Sequence, residues 1–142
     1  MDEARGGREP SAKAAGPPRR LLQALCLLGG VLLAVIGARY LLSPRGAMAT
    51  FGIASPPAGF ELPAIVGLRN LWLGLLAVGL AALSEWRALA LWLGLGTLVC
   101  LADAGIAAAS SGKLPQIAFH LASGAACLVL SLLLLRAARR GA

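Results

Sequence analysis

Arg39, Arg69, Asp103 and His120 each stand alone as an ionisable residue inside a long apolar run. An arginine presents a planar fork that holds carboxylate, enolate or phosphate oxygens through paired hydrogen bonds. A histidine beside a carboxylate makes an acid–base unit suited to proton transfer near neutral pH. Asn70, next to Arg69, adds an amide that both donates and accepts. The expected ligand-binding set is therefore Arg39, Arg69, Asn70, Asp103 and His120, with His120 and Asp103 as the catalytic candidates if the chain is an enzyme. Arg39, Arg69 and Asp103 leave one net positive charge beside a neutral His120. Glu61, at the mouth of the second run, would cancel it, and so would an anionic ligand.

Charge of this kind costs about 2.5–3.5 kcal/mol per residue at the centre of a membrane helix, and less near the interface. The four residues should therefore face the interior, a polar cavity or one another. The runs that carry them cover 21–42, 63–83, 88–109 and 115–135, each long enough to cross about 30 Å of hydrocarbon. Pro44 closes the first run, and Pro63 and Pro115 stand where a first helical turn tolerates proline. The turns 84–87 and 110–114 are short, which makes spans two, three and four sequential antiparallel neighbours. The loop 43–62 is longer, and its stretch Met48–Ile53 is apolar enough to lie on the bilayer surface.

Composition agrees with lipid as the solvent. The chain of 142 residues is 58% hydrophobic and 13% charged, with a mean hydropathy of +0.80, too apolar for an ordinary soluble domain. The net charge of +7 lies mainly in the tails, with Arg5, Arg8, Lys13, Arg19 and Arg20 at one end and Arg136, Arg139 and Arg140 at the other. This is the pattern of cytoplasmic membrane flanks, and no aromatic–basic stripe or nucleic-acid motif accompanies it, so nucleic acid is not an expected partner. The tails and the 84–87 turn hold nine Lys and Arg, while the loops 43–62 and 110–114 hold Arg45 and Lys113 alone. Both termini are thus expected in the cytoplasm.

The expected fold class is all-α: an integral membrane four-helix up-down bundle. Residues 1–20 read as a disordered basic cytoplasmic tail, 21–136 as the four-span membrane domain and 137–142 as a second basic tail. The run after residue 20 is longer than a signal-peptide core, and Asp2, Glu3 and Glu9 speak against a mitochondrial presequence. In this topology the four ionisable residues lie about three, six, six and five residues from the outer ends of their helices, within roughly one turn of a common depth.

The remaining residues have plainer readings. Cys26, Cys100 and Cys127 form no C-x-x-C pair and read as small packing residues, although Cys100 and Cys127 lie at similar depths and could approach one another. One histidine and one or two carboxylates beside two arginines make a poor metal site, so no metal and no cofactor are expected. No Ser-His-Asp spacing, glycine-rich phosphate loop or HExxH is present. Trp86 and Tyr40 read as interface anchors. Gly67, Gly74, Ala77 and Ala81 form a small-residue face on span two, with Arg69 about 100° away from its centre, at the side.

Taken in order, Gly37-Ala-Arg39, Pro44, Phe51-Gly52, Gly67-Leu-Arg69-Asn70, Asp103 and His120 resemble the pattern of the domain-of-unknown-function family 4267, a family of small four-span membrane proteins. The resemblance covers roughly 25–135. It implies an aspartate at the position of Asn70 in many relatives, so this chain has one acidic partner fewer for its arginines, which weakens a two-carboxylate mechanism. Three functions fit. The leading one is a polar intramembrane cluster near the non-cytoplasmic side that binds a small lipophilic or anionic molecule. The second is a non-catalytic structural or assembly subunit of a membrane complex. The third is a cofactor-independent enzyme moving protons on, or oxidising, a lipophilic substrate. The expected partners are the lipid bilayer, such a ligand, and another copy of the chain or a membrane protein. Arg-over-Lys and Ala/Leu-rich usage suggests a GC-rich bacterial gene, and with four spans the expected location is the cell inner membrane.

Overall fold

Proline and glycine set the boundaries of five helices in the computed structural model, which describes residues 17–140. Helix α1 (Arg19–Leu42) follows Pro18 in extended conformation and stops before Pro44, since the residue ahead of a proline is driven out of helical geometry. That proline opens α2 (Pro44–Phe51), which ends on Gly52 at φ 117°, where the amides of Gly52 and Ile53 both return to the Met48 carbonyl. Then follow α3 (Glu61–Ala82), α4 (Trp86–Ser110) and α5 (Leu114–Arg139), with Pro115 in the first turn of α5. Residues 1–16, which hold most of the expected N-terminal tail, lie outside the described residues, as do 141 and 142. Arg19 and Arg20 already belong to α1.

Helices α1, α3, α4 and α5 have 24, 22, 25 and 26 residues and are long and apolar enough to cross a membrane. At 1.5 Å per residue they are roughly 33–39 Å long, against a hydrocarbon core of about 30 Å. Only 22% of each crossing stretch is buried, and large side chains such as Leu28, Leu68, Leu98 and Trp72 point outward. Many of the buried positions carry small residues instead, among them Gly30, Gly37, Gly67, Gly74, Ala77, Ala104, Ala107 and Gly124, with larger buried side chains such as Leu22, Tyr40, Leu89 and Leu134 toward the two ends. Large outside and small inside is the arrangement that helices adopt when lipid surrounds them and association depends on close backbone approach.

The four spans associate as two tight pairs. Helix α1 packs along α3, and α4 along α5, while contacts between the pairs are sparse. A Cβ on Gly37 would come within 2.7 Å of the Gly67 carbonyl oxygen, and one on Gly74 within 2.6 Å of that of Gly30. Alanine and serine do the same work in the second pair, where Ser131 donates to the Ala90 carbonyl at 2.6 Å. Spans three and four are close antiparallel neighbours, as the sequence leads one to expect. Spans two and three share few contacts, with Ala81 and Leu89 in one cluster close to their connecting turn, because a short turn fixes only the helix ends and the small faces choose other partners.

The pairs are joined at both ends. At the end carrying the termini, Leu22 and Cys26 of α1, Ala81 of α3, Leu89 and Leu93 of α4 and Leu134 of α5 form one apolar cluster. At the opposite end α2 lies across the bundle. Ala47 and Met48 turn inward against Tyr40, Ile36 and Val66 rather than outward to a bilayer surface. The chain after α2 then reaches the other pair, with Ala54 N–H donating to Ser110 Oγ at 3.0 Å and Gln116 Nε2 donating to the Ala49 carbonyl at 2.7 Å.

Candidate functional site

The residues singled out in the sequence gather near the α2 end but divide into two groups. The first fastens α2. Arg39, exposed on α1, donates from Nη2 to Thr50 Oγ1 at 3.0 Å, and that hydroxyl donates to the Gly46 carbonyl at 2.9 Å. His120 is 7% exposed and its Nε2 lies 3.0 Å from the Phe51 carbonyl oxygen. A carbonyl only accepts, so Nε2 carries the hydrogen and Nδ1 is the nitrogen left for proton exchange. Phe51 tilts against the imidazole at 4.5 Å between ring centres, and Phe119 meets its edge at 5.7 Å. The group that orients His120 is thus a backbone carbonyl of the α2 strut, where the sequence suggested Asp103.

The second group lies at the seam between the pairs. Asp103 is half-buried on α4, within the electrostatic field of His120 on α5 and Arg69 on α3. Tyr40, from α1, is buried and feels both Asp103 and Arg69. Arg69 is exposed on the flank of α3, in keeping with its position beside the small-residue face. Asn70 is half-buried against α1, its backbone carbonyl carbon 2.9 Å from where a Gly37 Cβ would stand. Among the described residues Asp103 makes no hydrogen bond, yet no buried side-chain oxygen or nitrogen lacks a partner. Its carboxylate oxygens are therefore not sealed off, and a polar group can reach them.

Tyr40, Thr50 and Phe51 complete these contacts, and of the three only Phe51 belongs to the motifs already noted. The signal for Tyr40 was its place three residues after Gly37, on the face that packs against α3. A small cavity of about 100 Å³ lies elsewhere, between α2 and the start of α3, lined by Pro44, Arg45, Met48, Gly59, Phe60 and Pro63. No group of three or more His, Cys, Asp or Glu able to hold a metal occurs among the described residues.

Four apolar helices of crossing length, with small residues within and large ones outside, define a multi-pass helical membrane protein. Residues 30–134 match the family described as a domain of unknown function, DUF4267, and the chain belongs to that family. Neither a curated protein nor a solved structure matches it.

Proposed function

We propose that the seam beside α2 binds a small lipophilic molecule by its polar end. The observation that carries this reading is Asp103, an unsealed, half-buried carboxylate on one helix pair that lies within the electrostatic reach of Tyr40 and Arg69 on the other. A guanidinium, a phenol and a carboxylate together complement a head that both accepts and donates, such as a carboxylic acid, an enol or a hydroxy-ketone. The apolar body lies along the small-residue walls and leaves the bundle sideways into lipid. Intramembrane ionisable residues mark functional sites by default, since structure alone gains little from them. If chemistry follows binding, Nδ1 of His120 and the Asp103 carboxylate are the groups that move the proton.

The same reading puts both termini in the cytoplasm and the α2 end on the opposite face, following the excess of Lys and Arg in the tails and the 84–87 turn. Arg-rich, Ala/Leu-rich usage supports a bacterial source, in which a helical multi-pass protein belongs to the inner membrane. A structural or assembly role is the second reading, favoured by the bonds of Arg39 to Thr50 and His120 to Phe51, which fasten the α2 strut.

Native mass spectrometry of the full chain released from nanodiscs separates the two. A binding site predicts a discrete small molecule on the wild type that is lost from Arg69→Gln and Asp103→Asn, with the melting temperature little changed. A bare bundle in all three, with the variants melting lower, overturns the binding reading in favour of the structural one.

A further inference from the structure

Cys100 and Cys127 form a second constellation, in the interface between α4 and α5. Cys100 stands across from Gly124, where a glycine Cβ would lie 3.2 Å from its own Cβ. Cys127 stands across from Gly96, whose Cβ position is 4.0 Å from the Cys127 sulfur. The antiparallel register thus sets a glycine opposite each cysteine, and both side chains extend into the space the glycines leave. Cys127 is three residues beyond Gly124, so the two free thiols lie about one helical turn apart along the same interface. A disulfide needs Cβ atoms about 4 Å apart, and the facing glycines leave the space through which the two side chains can be drawn together.

Depth decides what can react there. Cys100 is ten residues from the Ser110 end of α4 and Cys127 thirteen from the Leu114 end of α5. At 1.5 Å per residue these positions lie about 15 and 20 Å along their helices, near the middle of the hydrocarbon. Both cysteines are only partly buried, and their neighbours Val99 and Leu128 are exposed on the apolar surface. Aqueous thiol oxidants such as glutathione disulfide carry charge and are excluded from that depth. A lipid-soluble oxidant reaches it from the side.

We propose that Cys100 and Cys127 form a two-electron redox centre that closes as a disulfide between α4 and α5, with a lipid-soluble quinone as oxidant. One sulfur bonds to the quinone ring, and the other then displaces the ring from it to form the S–S bond. The two electrons and both thiol protons leave on the ring, whose two carbonyl oxygens become the hydroxyls of the hydroquinone. The centre lies one turn from Asp103 along α4 and does not depend on the seam site binding anything.

The test uses the reduced full chain in nanodiscs, treated with a decyl-substituted benzoquinone, denatured in iodoacetamide and weighed intact. The expected result is that two of the three cysteines escape alkylation, with a fragment joining Cys100 to Cys127 and one hydroquinone formed per cross-link. Cys26→Ser should behave like the wild type. Cys100→Ser and Cys127→Ser should each lose both the cross-link and hydroquinone formation while melting like the parent. Full alkylation of the quinone-treated wild type, a lasting quinone adduct, or a cross-link that includes Cys26 would each overturn the proposal. Oxidation by glutathione disulfide but not by the quinone would overturn it as well.

Discussion

His120 shows how one side chain can tie distant parts of the chain together. Its Nε2–H bond to Phe51 links residues 69 positions apart, and the Phe51 ring covers the imidazole that its carbonyl holds. A hydrogen bond of this kind contributes about 0.5–1.5 kcal/mol, and truncation also removes the ring contact. His120→Ala should therefore raise amide hydrogen exchange across 44–54, while His120→Gln, whose amide can donate to the same carbonyl, should keep most of the protection. Unchanged exchange in His120→Ala would mean that the strut does not depend on this bond. The sequence made His120 and Asp103 conspicuous, because an ionisable group within an apolar run is rare. It did not reveal what would hold them. Tyr40 reads equally well as an interface anchor, and Thr50 as a loop hydroxyl, until α2 folds back and gives each its neighbour.

Among the helices, glycine position decides which partners meet. A methyl on Gly37 would press into α3 between Gly67 and Asn70, and the neighbouring atoms there are backbone that cannot swing aside. Gly79 has nothing within 4 Å of its would-be methyl. Gly37→Ala should destabilise by about 1–3 kcal/mol, the usual range for overpacking. Gly79→Ala should be neutral or stabilise by up to about 1 kcal/mol through helix propensity. Thermal unfolding in one detergent, read side by side, checks both; equal shifts would show that α1 and α3 do not pack as described. The spans themselves were legible from length, apolarity and the prolines that delimit them. Their pairing was not, because a small-residue face states that something approaches but not which helix. Helix α2 escaped notice for a related reason: its eight residues are too few for a clear period, and the same apolar residues suit a bilayer surface as well as a bundle end.

For the molecule as a whole, orientation rests on the uneven distribution of basic residues. In a chain with its three cysteines replaced by serine, Ser55→Cys should react with a membrane-impermeant maleimide on intact cells, and Ser84→Cys only after the membrane is opened. The opposite pattern would invert the topology. The α2 strut also bears on the order in which the bundle can be assembled. Helices α1 and α3 can pair as soon as the second span has entered the membrane, and α4 and α5 make a local hairpin afterwards. The strut, however, is bound by Ser110, Gln116 and His120, residues that are synthesised 56 or more positions after their partners in and just beyond α2. The cap therefore stays unlatched until the first turns of α5 have been made, so the same contacts that roof the seam also record that the fourth span has begun.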